Sequence, residues 1–203
     1  MNVLLLHGHG RTTLAMRPLG FRLRKLGHSV QYFRYYTRSE TFEDIVNRFV
    51  QWVNTVYAGK PYVVVGHSMG GLIARAGLPF LEHHLPVHLI MLASPNRPPK
   101  LAPHVRNNLL YKYLTTDCGQ QVLTPEFYQR LPLPTIPATI IAGSAGPRAK
   151  WLPYGFEPND GALSVNDASL GEGYELIQVP SIHTFIMNSR QTLHHIQRVL
   201  DDR

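Results

Sequence analysis

Short apolar runs rich in β-branched residues recur along the chain and predict buried strands. Five stand out: Val3–Leu6, Tyr62–Val65, Val87–Ala93, Ala138–Ala142 and Tyr174–Val179. Ser29–Tyr35 is a sixth, weaker run. The runs are continuous rather than alternating, as in a parallel sheet covered on both faces. Between them the apolar spacing lengthens to that of a helix. Leu14, Leu19, Leu23 and Leu26 fall on one face of a first helix, and Gly27 offers its stop. Thr41 can cap a second, with Phe42, Ile45, Phe49, Val53 and Val56 as the apolar stripe. Thr184–Leu200 reads as a final helix with Ile186, Leu193, Ile196, Val199 and Leu200 inward. Alternating strand and helix predicts one α/β domain over residues 1–203. It should have about six mostly parallel strands and helices on both faces.

Two stretches interrupt the alternation. Asn96–Pro137 carries seven prolines, which leave room only for short helices near Val105–Tyr113 and Glu126–Arg130. This segment, 96–137, is the expected cap. Gly143–Leu170 is a long loop rich in Gly, Pro and Asn, and loops of that length in a compact domain usually carry function.

Composition narrows the class. With 203 residues, 44% of them hydrophobic and 16% charged, the chain can bury a full core, which excludes wholesale disorder. No run approaches the ~18 apolar residues of a membrane span. The opening strand lacks the basic flank of a secretory signal, so a cytoplasmic protein without a transmembrane segment is expected. The single Cys118 excludes an internal disulfide and a cysteine-rich zinc site. The net charge of +7 is concentrated at one end. Residues 1–39 hold Arg11, Arg17, Arg22, Arg24, Lys25, Arg34 and Arg38 and no acid, while the rest of the chain is neutral. A solvated helix face accounts for such a cluster, and so does a patch for an anionic substrate or an acidic protein. No nucleic-acid module is recognisable.

The chemistry centres on Val63-Val64-Val65-Gly66-His67-Ser68-Met69-Gly70-Gly71-Leu72. A strand, then Gly-x-Ser-x-Gly, then a helix beginning near Leu72 is the pattern that lifts a serine above a sheet edge. The helix start beneath it offers free N–H groups to a developing oxyanion. A second strand ends in His7-Gly8-His9-Gly10. There the residue after His-Gly supplies one oxyanion N–H, so the predicted donors are the backbone amides of His9 and Met69. His7 reads as a brace for that loop. A serine hydroxyl needs a base. Of eleven histidines, His183 stands directly after the last strand, at the sheet end where catalytic loops gather. His83, His84, His194 and His195 look incidental. The acid should lie before His183, among Glu157, Asp160, Asp167, Glu172 and Glu175. Asp160, in Asn159-Asp160-Gly161, is preferred, to fix the His183 tautomer. Asp167 is the runner-up, with a loop or helix cap as its other reading.

Together these residues resemble the α/β-hydrolase superfamily, and within it the small bacterial lipase/esterase group that opens with a strand and His-Gly-x-Gly. The matching motifs are His7–Gly10, Gly66–Gly71, Asn159–Gly161 and Ile182–Thr184. The resemblance implies a six-stranded core without the usual N-terminal antiparallel hairpin. It implies hydrolysis of a carboxylic ester or thioester through an acyl-enzyme, with neither metal nor organic cofactor. One departure is Ala93-Ser94-Pro95-Asn96-Arg97-Pro98-Pro99, where relatives often carry glycine and small residues.

Substrate choice should lie in the cap, where Leu109, Leu110, Tyr111, Tyr113, Phe127 and Tyr128 are candidate acyl-pocket residues. Trp151, Tyr154 and Phe156 are candidates for the opposite wall. Arg11, Arg34 and Arg38 should reach the rim, where guanidinium groups suit an anionic acyl-carrier protein or coenzyme A substrate. The expected substrate is a small ester with a short to medium acyl chain. A carrier-linked anionic ester, acyl transfer and a non-catalytic binding role are the alternatives.

Overall fold

The structure is a computed structural model that describes residues 1–81, 84–105 and 117–202. Six parallel strands form the sheet in the order β2-β1-β3-β4-β5-β6. They are β1 (Asn2–Leu6), β2 (Ser29–Phe33), β3 (Tyr62–His67), β4 (His88–Leu92), β5 (Ala138–Gly143) and β6 (Glu175–Val179). All six predicted runs are strands. The run at Ser29–Tyr35 ends two residues early, because Tyr35 leaves the ladder for another task, described below.

The two side-chain faces of β1 and β3 enter different cores. Leu4, Leu6, Tyr62 and Val64 pack under α2 (Phe42–Val56) and α3 (Met69–Gly77). Val3, Leu5, Val63 and Val65 pack under α1 (Arg17–Lys25) and the C-terminal helix, Arg190–Asp201. The fold is therefore a three-layer α/β sandwich, and both strand faces must be apolar.

Helix boundaries follow local chemistry. Thr41 caps α2 by accepting from the Asp44 N–H, with the acids Glu43 and Asp44 at the positive end of the dipole. The first helix is shorter than its leucine spacing predicts. A 3-10 turn at Thr13–Met16 precedes Pro18, and only Leu19 and Leu23 of the four leucines are buried. Leu14 and Leu26 point to solvent. Gly27, at φ 86°, ends the helix as expected. The predicted helix over 184–200 is two elements. A 3-10 segment, His183–Asn188, stops at Ser189, whose extended backbone and side chain open the helix that follows.

Within 96–137 the described helices are α4 (Ala102–Val105) and α5 (Pro125–Arg130), with residues 117–121 also helical. The predicted helix at Val105–Tyr113 lies almost wholly outside the described residues. Further on, Val165–Ala168 forms α6, and α7 is the C-terminal helix Arg190–Asp201. No described helix is long and apolar enough to cross a membrane.

The strand order places a switch between β1 and β3, where successive connections leave to opposite sides. Open α/β sheets bind ligands at the carboxyl ends of the strands beside such a point. The segments that leave β1 and β3 here are His7–Gly10 and His67–Gly71.

Candidate active site

Ser68 stands at the turn between β3 and α3 with φ 53° and ψ −120°. A non-glycine residue in that region costs on the order of 1–3 kcal/mol, and such strain persists only where the surroundings enforce it. Here they do. The Ser68 N–H donates to the Leu92 carbonyl at 2.8 Å, and the Gly71 N–H donates back to the Ser68 carbonyl at 3.1 Å. The flanking glycines are required by close approach. A Cβ on Gly66 would fall 2.4 Å from the Gly71 nitrogen, and one on Gly70 would fall 2.6 Å from the His7 carbonyl oxygen. Both clashes are with backbone, so no side-chain adjustment relieves them.

His183 brings an imidazole to Ser68. It follows β6 and opens the 3-10 segment, with Nε2 3.1 Å from Ser68 Oγ and Nδ1 2.8 Å from Asp160 Oδ2. Its backbone N–H also donates to the Asp160 carbonyl at 2.9 Å, so the two loops are fixed to each other by main chain as well. Asp160 is buried. Its Oδ1 accepts the Ala162 N–H at 2.9 Å and the Leu163 N–H at 2.7 Å, which leaves Oδ2 aimed at His183. A carboxylate only accepts, so His183 Nδ1 carries the proton and Nε2 turns a lone pair to the serine hydroxyl.

Asp167, the other candidate acid, is just as buried and takes no part. It closes a capping box with Ser164 at the start of α6, and its Oδ2 also accepts the Lys100 N–H at 3.2 Å. Its backbone carbonyl accepts the N–H groups of Asn96 and Arg97. Burial raises its pKa above the ordinary carboxylate value, against the lowering effect of the hydrogen bonds from Ser164 and Lys100.

The loop of His7–Gly10 lies against Ser68. A Cβ on Gly8 would come 3.2 Å from the Ser68 Cβ. Met69, as the first residue of α3, has no intrahelical acceptor for its N–H. His9 lines the cavity beside Ser68. Burial lowers the His9 pKa, which keeps the imidazole neutral.

Three residues not foreseen from sequence hold this arrangement. Tyr35 stacks on His7, with ring centroids 4.0 Å apart, and its hydroxyl donates to the His7 carbonyl. Two residues on, Thr37 accepts the Gly10 N–H at 3.0 Å. His67, fully buried, donates from Nε2 to the His183 carbonyl at 3.0 Å, since a carbonyl can only accept. Its Nδ1 then bears a lone pair, buried without a partner, against Gly8. Burial, and next the neighbouring His183, hold the His67 pKa well below its ordinary value. The only sequence signal for these three was position: residues 35 and 37 follow a strand end at alternate places, and residue 67 precedes the serine.

A cavity of about 220 Å³ opens over Ser68 and His183. Leu72, Leu101, Val105, Val122, Leu123 and Leu163 give it an apolar wall, so the described part of 96–137 does contribute to it. The described aromatic candidates do not. Phe127 and Tyr128 face the α2 core, where Phe127 packs edge-on to Phe42. Leu109, Leu110, Tyr111 and Tyr113 lie outside the described residues. Trp151 is 83% exposed and Phe156 is also exposed, neither lining the cavity. Tyr154 is buried, its hydroxyl donating to the Ala162 carbonyl. The loop before Asp160 is therefore anchored by Tyr154, and its Trp151 turns away. Arg11 is close enough for its charge to disfavour a proton on His67, but it does not line the cavity. Arg34 lies over the Tyr36 ring at 5.1 Å and is likewise absent from the wall. A larger groove of about 460 Å³, between Phe42, Phe80 and Phe127, contains none of Ser68, Asp160 and His183. Among the described residues no three His, Cys, Asp or Glu side chains gather to hold a metal ion.

The chain belongs to the alpha/beta hydrolase family, whose model matches residues 3–198. No curated protein matches it. Among solved structures it is similar to a metagenomic carboxyl esterase, with a TM-score of 0.74 and 15% identity, covering 100% of this chain and 76% of that one. It is also similar to the RedJ thioesterase of prodiginine biosynthesis in Streptomyces coelicolor, with a TM-score of 0.62 and 15% identity, covering 98% and 84%. Tomato methylketone synthase I gives a TM-score of 0.61 at 12% identity, covering 99% and 98%. At these identities the likeness is one of fold.

Proposed function

We propose that the protein is a serine hydrolase that cleaves carboxylic esters of short to medium acyl chain through an acyl-enzyme. One observation carries the reading: the hydrogen-bonded chain Ser68 Oγ–His183 Nε2 and His183 Nδ1–Asp160 Oδ2, at 3.1 Å and 2.8 Å. His183 takes the Ser68 proton as Oγ forms its bond to the acyl carbon. The N–H groups of His9 and Met69 receive the oxyanion. The carbon–oxygen bond to the alcohol breaks as His183 returns the proton to it. Water then attacks with the same base, and the acid leaves.

Cavity size and lining support the acyl choice. About 220 Å³ is below the ~300–1,000 Å³ of sites that enclose drug-sized ligands. Among the described residues no Arg or Lys stands in its wall, which favours an uncharged acyl group over a carboxylate-tipped one. Arg11, half-buried near His67, is the observation that keeps a second reading, a thioester or ester on an acidic carrier protein or coenzyme A.

The test is hydrolysis of p-nitrophenyl esters of increasing chain length by the parent and by Ser68→Ala. Turnover in the parent that disappears in the variant is expected, with an optimum at short to medium chains. Equal hydrolysis by the two proteins would refute the role of Ser68. An optimum found only with carrier-bound substrate, and strongly salt-dependent, would favour the second reading.

A further inference from the structure

The fold sets side by side two segments that lack carboxylates. Residues 1–39 hold seven basic residues and no acid, and residues 176–200 hold Arg190 and Arg198 and no acid. They supply α1 and all of α7 except its last residue, Asp201, and the two helices cover the same face of the sheet. Arg22 joins them, Nη1 donating to the Asn188 carbonyl at 2.7 Å. Among the described residues, neither the seven nor Arg190 has a carboxylate partner, whereas Arg48, Lys100 and Arg198 each have one.

Large apolar side chains stand out from the same region. Leu14, Phe21 and Phe185 are each more than half exposed, and Ile182 is exposed as well. Leu14 follows the loop of His7–Gly10, while Ile182 and Phe185 flank His183. The exposed apolar groups thus border the two loops that frame the cavity. Lys25 Nζ lies 4.7 Å over the Phe21 ring, so cation and apolar group share one patch.

We propose that this face docks on an anionic lipid surface. Leu14, Phe21 and Phe185 enter the headgroup boundary, and the unpaired cations, Arg17 and Lys25 among them, face the lipid phosphates. Protruding aromatic and aliphatic groups among unopposed cations on a helix are the pattern of an interfacial element. Leu14 stands on the 3-10 turn Thr13–Met16, Phe21 on α1 and Phe185 on the 3-10 segment His183–Asn188. A peptide partner is better held by a groove, and the largest apolar groove described above lies elsewhere, between Phe42, Phe80 and Phe127. Docking would bring the cavity to lipid-borne esters, a consequence that rests on the proposed role of Ser68. The docking itself does not.

The experiment is sedimentation of the full chain with vesicles of phosphatidylcholine alone and of phosphatidylcholine with phosphatidylglycerol. Preference for the anionic vesicles by at least about tenfold is expected, reversed by salt. Arg17→Glu with Lys25→Glu should lower the partition by at least about 30-fold, the loss of two cations alone being worth that much. Phe21→Ser should lower it by about tenfold. Hydrolysis of a dissolved ester should stay unchanged in these variants, which shows that they fold. Ser68→Ala should sediment like the parent, so a failure of the catalytic reading leaves this result standing. Equal partition on both vesicles, no partition at all, or a charge-reversed variant that binds like the parent would overturn the proposal. So would binding to an acidic protein with none to vesicles.

Discussion

Asp160 and Asp167 lie seven residues apart, one in the loop before α6 and the other in its first turn, and both are buried. Asp160 spends one oxygen on two backbone N–H groups and turns the other to His183. Asp167 spends itself on the start of α6 and on Lys100, with its main-chain carbonyl holding Asn96 and Arg97. One carboxylate accepts from the His183 ring; the other fastens the loop that follows β4 to the segment that precedes β6. Burial and residue type are the same, so neither decides the role. The difference is what remains to be satisfied. The turn around Asp160 leaves one oxygen free toward a ring nitrogen, while the neighbours of Asp167 are all main-chain N–H groups or a hydroxyl.

The sharpest way to break that contrast begins with the residues Asp160 serves. Ser68→Ala or His183→Ala should lower kcat for a p-nitrophenyl ester on the order of 10⁶-fold, measured at saturating substrate. Asp160→Asn should cost about 10⁴-fold, because its amide would face the His183 Nδ1–H and favour the other tautomer, yet thermal unfolding should change little. Asp167→Ala should do the reverse. Removing an acceptor from buried N–H groups costs about 1–3 kcal/mol, read as a lower Tm, with ester hydrolysis retained. If Asp167→Ala abolished activity in a folded protein and Asp160→Asn did not, the two assignments would have to be exchanged.

Smaller effects sharpen the picture of the supports. Tyr35→Phe deletes the hydroxyl that holds the His7 carbonyl, and kcat should fall by on the order of tenfold with KM unchanged. His67 is neutral when folded, since burial lowers its pKa. The unfolded chain binds the proton first, at about pH 6.5, so stability is lost as pH falls below that value. Tm should therefore drop between pH 7 and pH 5, and drop less steeply in His67→Gln. Smallest of all, burial pushes the Cys118 thiol up to about 12, so a thiol reagent should label it only after denaturation.

Much of this was legible in the sequence because the signals were local. Each strand is a short apolar run. Ser68 and His9 sit in motifs whose glycines answer to backbone clashes. His183 follows the last strand directly. What was not legible depends on contacts between distant segments. The exposure of Trp151 follows from the way Tyr154 anchors its loop, a pairing that no spacing encodes. Tyr35 meets His7 across the sheet, 28 residues away. Leu14 and Leu26 keep the helical leucine spacing, yet the 3-10 turn before Pro18 rotates Leu14 off the core. The acid-free stretch at the N-terminus was plain in the chain. Its meeting with the equally acid-free residues 176–200 required the fold.

The central claim is that Ser68 is the activated nucleophile. Its most direct test is intact-protein mass spectrometry after treatment with a fluorophosphonate, on the parent, Ser68→Ala and Asp160→Asn. The account predicts one adduct on Ser68 in the parent, none in Ser68→Ala and much slower labelling in Asp160→Asn. An unlabelled parent, or an adduct that persists in Ser68→Ala, would contradict it.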